Sequence, residues 1–144
     1  MIVPDANLLL YAYDRGSPFH DAARAWWEAC LSGSETIGLV HPVIFAFVRI
    51  GMSRRVFERP MTLTEVSEHV RSWLDRSVTR VLQPQHDHTA RVLDLLREAQ
   101  TAGPNLVTDA QIAAFAIAHK ATIHTADRDF MRFRGVECRF PLET

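Results

Sequence analysis

Short apolar segments that alternate with amphipathic ones predict an α/β fold, a three-layer sandwich with a mostly parallel central sheet flanked by helices. Three observations carry this. The chain opens on a buried-strand pattern, Ile2-Val3, that stops at Asp5 and restarts as the helical segment Leu8 to Tyr13. Strand-like stretches then recur between segments with helical spacing. Finally, an apolar run ending on an acid is repeated: Leu106-Val107-Thr108-Asp109 leads into Ala110 to Lys120, and Thr122-Ile123-His124-Thr125 leads into Ala126-Asp127-Arg128-Asp129-Phe130. Three strand ends would thus deliver Asp5, Asp109 and the pair Asp127/Asp129 to the carboxyl edge of one sheet, where open α/β sheets bind ligands.

The elements follow in order. Ser17-Pro18 has the pattern of an N-cap and a proline at the first helical position, ahead of a stripe of Ala22, Ala23, Trp26, Trp27, Cys30 and Leu31 that Gly33 ends. Thr36 to Val40 is the second strand. His41-Pro42 opens a helix through Val43, Ile44, Phe45, Phe47, Val48 and Ile50, apolar but for Arg49. Arg54, Arg55 and Arg59 fall in a loop broken by Pro60. Thr62 and Glu65 have capping-box spacing before a stripe of Leu63, Val66, Val70, Trp73 and Leu74. Val78 to Leu82 is the third strand. A helix from Asp87 to Ala102 carries Val92, Leu93, Leu95, Leu96 and Ala99, and Gly103-Pro104 terminates it. Val136 to Phe140 alternates as a last strand.

With 144 residues the chain suits one domain, residues 1–144, large enough to bury a core without disulfides. Cys30 and Cys138 match no zinc spacing, and Cys30, on the apolar stripe of a helix, suggests a buried thiol in a reducing compartment. No signal-type leader and no run long enough to span a membrane is present, so a soluble cytoplasmic protein is expected. Among 16 basic residues Lys120 is the one lysine and the rest are arginine, with a net charge of -1. Arginine forks suit phosphate, although GC-rich codon usage gives the same skew.

Taken singly, Asp5 and Asp109 are ordinary helix caps, and Asp127 and Asp129 are ordinary turn acceptors. Caps have no reason to converge at one sheet edge, however, and converging carboxylates repel one another unless a cation neutralises them. Mg²⁺ or Mn²⁺, which take carboxylate and water oxygens, are the natural ions. The seven histidines show no ligand spacing, and no Gly-rich phosphate loop, Gly-x-Ser-x-Gly elbow or Cys-x-x-Cys occurs.

Asp5-Ala6-Asn7, Asn105 to Ala110 and Thr125 to Phe130 together resemble a PIN domain. More closely, the chain resembles the VapC-type toxins of bacterial toxin–antitoxin pairs, with Phe47-Val48-Arg49-Ile50-Gly51 and Phe133 to Pro141 similar to one branch. The resemblance implies a Mg²⁺- or Mn²⁺-dependent endoribonuclease, with Asp5, Asp109 and Asp127 catalytic and metal-binding and Asp129 either an added metal ligand or an acid that supports the ligands. It implies that Asn7 and Thr125 orient the carboxylates. It also implies an RNA substrate, a homodimer, and a cognate antitoxin laid over the apolar Trp26/Trp27 and Val43 to Ile50 helices and reaching the acidic site with a basic side chain. Arg49 and Arg128 are candidates for the RNA backbone. One departure stands out: many PIN domains place a Glu three residues before the second-helix Arg, and here that position is Ala46. Two other readings remain open at this point, a catalytically silent binding module of the same fold and a haloacid-dehalogenase-type phosphatase. The latter wants a second Asp two residues after the first, where Asn7 stands.

Overall fold

A computed structural model describes residues 1–99 and 106–143. Five short strands form its sheet: β1 (Ile2–Pro4), β2 (Ile37–Leu39), β3 (Thr79–Val81), β4 (Thr122–His124) and β5 (Glu137–Arg139). Their order is β3-β2-β1-β4-β5, and every pairing is parallel. The connections are α1 (Ala6–Tyr13), α2 (His20–Ser32), α3 (His41–Gly51), α4 (Leu63–Leu74), α5 (His88–Glu98), α6 (Leu106–Ala118) and a 3₁₀ turn, Arg128–Arg132. Strand order grows in one direction from β1 to β3 and in the other from β1 through β4 to β5. Right-handed crossovers then put helices on both faces, giving the expected three-layer sandwich. The reversal lies between β1 and β4, so the crevice at their carboxyl ends is the place for a ligand.

Strands this short hold because both faces of the sheet are covered. Val3, Ile37, Leu39 and Ile123 have no exposed surface. Gly38 lets β2 lie close under its neighbours, since a Cβ there would meet Leu82 Cδ1 at 2.8 Å. An aromatic cluster ties the helices together. Trp73 of α4 packs edge-on to Phe47 of α3 at 4.7 Å and to Trp27 of α2 at 5.6 Å. Its indole N–H donates to the Tyr13 hydroxyl at 2.7 Å. Trp27 is therefore part of the core, while Trp26 beside it is half-buried. The capping box of Thr62 and Glu65 forms as expected.

The structure differs from the sequence reading at several elements. Leu106 to Thr108 is the first turn of α6 and not a strand. Leu106, Ala110, Ala113 and Ala114 are buried at helical spacing while Val107 and Thr108 face outward, so burial periodicity overrides the β-branched pair. Asp109 is consequently delivered by a helix's first turn and is not an N-cap. Helix α2 begins at His20, because the Ser17 hydroxyl accepts from the Phe19 amide in a local turn and caps no helix. Ala22, Leu63, Leu74 and Leu93, assigned to core stripes, are exposed. Helix α5 runs to Glu98 with Ala99 as C-cap. The expected stop at Gly103-Pro104, and Asn105, lie outside the described residues.

Candidate active site

Asp5 ends β1 and caps α1. Its Oδ1 accepts from the Ala6 amide at 2.8 Å, and its own amide donates to the His124 carbonyl of β4 at 2.9 Å. The sheet thus fixes the acid's backbone, and the first amide of α1 fixes one of its oxygens. Its Oδ2 accepts from the Thr125 hydroxyl at 2.7 Å, and that same hydroxyl accepts from the Asp127 amide at 2.9 Å. Thr125 is fully buried, and Asp5 is 8% exposed. Burial pushes the Asp5 carboxyl above its ordinary value. The Thr125 and Ala6 hydrogen bonds pull it back, and the Asp127 charge adds to the rise.

Past β4 the chain turns sharply. Asp127 caps the 3₁₀ turn, its Oδ1 accepting from the Asp129 amide at 2.8 Å, and Asp129 pairs with Arg132 at 3.3 Å. From the other side, the first turn of α6 brings in Asp109. One carboxylate oxygen each from Asp109, Asp127 and Asp129 lies within 4.8 Å of the others. Asp5 is not a member of that triplet. It sits behind it, close enough for its charge to act on Asp109. The Asp109 carboxyl is pushed up to about 7, by burial first and then by the charges of Asp5, Asp127 and Asp129. A helix N-terminus favours a carboxylate only by a few tenths to about 1 kcal/mol, too little to offset this.

The four sequence-nominated acids therefore converge, and Thr125 links two of them. Asn7 is the second residue of α1, and its Oδ1 is buried without a hydrogen-bond partner. Arg49, on α3, is exposed, with Ala46 half-buried one turn before it. Arg128 stands between two of the acids but is engaged elsewhere: its guanidinium lies 4.1 Å over the Phe140 ring and pairs with Glu143. Neither partner was foreseen, since local spacing does not expose a contact 15 residues apart. The Arg132 pair with Asp129 was legible in principle from its i,i+3 spacing. His124 adjoins the site but accepts from the Trp26 indole at 3.0 Å, provided its Nδ1 is unprotonated.

Such a donor set fits a hard divalent cation. It offers oxygen only, it concentrates negative charge, and it leaves Asp109 reluctant to ionise until a positive charge arrives. Nothing in it suits a soft metal, since Cys30 and Cys138 are outside the triplet. No helix among the described residues is long and apolar enough to cross a membrane.

Comparison with known proteins agrees with this geometry. The chain is 41% identical over 142 residues to Ribonuclease VapC33 of Mycobacterium tuberculosis, covering 99% of each chain. Among solved structures, the fold is similar to Mycobacterium tuberculosis VapC20, a toxin that cleaves the sarcin–ricin loop. That match has a TM-score of 0.67 and 17% identity, and covers 95% of this chain and 99% of that one. It is also similar to a chain of a toxin–antitoxin complex from Klebsiella pneumoniae, with a TM-score of 0.63 and 18% identity over 98% of each. The model of the PIN domain matches residues 2–136, which takes in every strand-end and helix-start acid described above. With its doubly wound sheet and converging aspartates, the chain belongs to the PIN-domain family.

Proposed function

We propose that this chain is an endoribonuclease toxin that hydrolyses RNA phosphodiester bonds with Mg²⁺ or Mn²⁺ and is held in check by a cognate antitoxin. The observation that carries the reading is the convergence of Asp109, Asp127 and Asp129 with Asp5 behind them. It is supported by 41% identity over nearly the whole length to a protein named a ribonuclease. The likeness to a chain from a toxin–antitoxin complex supports the antitoxin as partner. We also propose a homodimer, to which the outward Phe45 of α3, 62% exposed, offers an apolar contact. Light scattering that finds monomer alone at micromolar concentration would overturn the dimer.

In this reading Asp109, Asp127 and Asp129 hold the ion and Asp5 completes its shell. An ion bound there supplies Lewis-acid polarisation of the scissile phosphate and eases deprotonation of the attacking water. The protein's own part is positioning. The Thr125 hydroxyl aims Asp5 and offsets part of the rise that burial imposes on its carboxyl, while the Asp129 amide fixes the Asp127 carboxylate. Asp109, with a carboxyl poised at about 7, accepts a proton near neutral pH whenever the ion is absent. Asn7, whose buried Oδ1 bonds no protein donor, would orient the shell by accepting from its water, and Arg49 and Arg128 contact the RNA backbone. Ala46 brings no carboxylate, so we expect one tightly held ion, and a second only when RNA phosphate helps bind it. The phosphatase reading lacks its general acid, because Asn7 occupies that place. The silent-module reading has no observation in its favour.

The test is cleavage of RNA by the purified chain with Mg²⁺, Mn²⁺ or EDTA. We expect cleavage with either ion, none in EDTA, and a loss of at least about a hundredfold in Asp109→Asn and Asp5→Asn. Full activity in well-folded Asp109→Asn would sink the assignment.

A further inference from the structure

Arg128 is held by three contacts that the assignments above leave unexplained. Its guanidinium carbon lies over the Phe140 ring at 4.1 Å from the centroid, its Nη1 is 3.7 Å from Met131 Sδ, and its Nη2 pairs with Glu143. The flanking residues, Asp127 and Asp129, are two members of the acid triplet. Strands β4 and β5 are parallel with His124 opposite Arg139, so the Phe140 to Glu143 segment leaves the sheet at the same carboxyl edge as Asp5 and Thr125. The clasp therefore sits on the rim of the site.

We propose that Arg128 and Glu143 form a displaceable clasp in which the Glu143 carboxylate holds one arm of the guanidinium, Nη2, that an RNA backbone phosphate takes over. This rests on the ribonuclease reading of the site and adds to it a rest state and a second residue. Arginine's planar guanidinium donates to carboxylate and phosphate alike, and with only Nη2 on Glu143 and Nη1 against the weak acceptor Met131 Sδ, a phosphate can take one or both arms without moving the arginine. The Phe140 ring keeps the guanidinium plane in place through the exchange, and stacking of this kind is worth having at a site where the donor must wait for its ligand. The ion pair is weak enough to be exchanged: Arg128 and Glu143 are 59% and 56% exposed, and exposed pairs contribute little. The need for the exchange is electrostatic. A phosphodiester approaching four carboxylates is repelled, and an arginine between two of them offsets that repulsion once Glu143 has let go.

The test uses the full chain and a fluorescently labelled mixed-sequence RNA 20-mer in EDTA, so that no hydrolysis competes, read by fluorescence anisotropy across a salt series. Glu143→Gln is expected to tighten binding about threefold, the range of one exposed ion pair. Arg128→Ala is expected to weaken it and to lower the salt slope by about 0.7, one phosphate contact. In the Arg128→Ala background Glu143→Gln should have no further effect. Glu137→Gln, an exposed acid on β5, removes the same charge outside the clasp and controls for general repulsion. Equal tightening by Glu137→Gln and Glu143→Gln, an effect of Glu143→Gln that survives in Arg128→Ala, or no RNA binding at all would overturn the clasp. Cleavage with Mg²⁺ by a chain whose clasp variants bind like the parent leaves the ribonuclease standing and the clasp refuted. Clasp-dependent binding without any cleavage does the reverse.

Discussion

At the floor of the acid cluster one oxygen serves two neighbours: the Thr125 hydroxyl donates to Asp5 Oδ2 and accepts from the Asp127 amide, with no solvent to replace either bond. Thr125→Val keeps the shape and removes both. We expect it to cost about 2–3 kcal/mol, because it strands a buried carboxylate oxygen and a backbone N–H. The urea midpoint should drop with an unchanged slope. The lost hydrogen bond had been holding the Asp5 carboxyl down, so its raised pKa should climb further and the acidic limb of the activity profile should move to higher pH. Thr125→Ser, which restores the hydroxyl, should recover most of both effects. A Val variant as stable as the parent would show that the hydroxyl organises nothing. At this scale the acids were legible, since Asp5, Asp127 and Asp129 each sit where an apolar run ends. What joins them was not. The Thr125 to Asp5 bond spans 120 residues, and a hydrogen bond at that separation has no local signature.

Elements were legible where two signals agreed and misplaced where one stood alone. Helix α4 has both a capping box and a buried stripe through Val66 and Trp73, and it forms where expected. Helix α6 begins earlier than read, because Val107 and Thr108 carry strand propensity that the burial of Leu106 and Ala110 overrides. The mutual packing of α2, α3 and α4 through Trp27, Phe47 and Trp73 could be guessed as apolar but not as a polar arrangement. There the Trp73 indole, fully buried, depends on the Tyr13 hydroxyl of α1 at 2.7 Å. Tyr13→Phe deletes one oxygen and leaves that N–H unsatisfied. We expect a loss of about 1–3 kcal/mol in urea unfolding, more than a surface hydroxyl would give. Unchanged stability would mean that Trp73 finds another acceptor in the cluster.

Over the whole molecule, the reversal of strand order beside β1 gathers charges from distant parts of the chain, and the fold itself must bear their repulsion. The resulting dependence on pH has a definite sign. Asp109 titrates near 3.8 when unfolded and at about 7 when folded, so between those values the folded chain binds the extra proton. Stability from this group is therefore present at low pH and lost as pH rises toward and through about 7. Asp5, also raised, contributes in the same direction. Three histidines oppose it: His69, His88 and His124 are all lowered, chiefly by burial, so the unfolded chain holds their protons longer and stability rises with pH up to about 6.5. Above that value the histidines have finished and the aspartate remains. In EDTA the melting temperature should consequently fall by a few degrees from about pH 6.5 to 8. This corresponds to on the order of 1 kcal/mol after discounting for the partial exposure of Asp109. Millimolar Mg²⁺ should abolish the fall, because the ion favours the ionised carboxylate, and its apparent affinity should weaken as pH drops below about 7. Asp109→Asn should flatten the EDTA curve above pH 6.5 and stand above the parent at pH 8, since an amide relieves the crowding. It should also lose the Mg²⁺ response. A parent protein whose stability in EDTA keeps rising to pH 8, or an Asn variant that still gains from Mg²⁺ as the parent does, would show that the cluster is not the cation site its geometry supports.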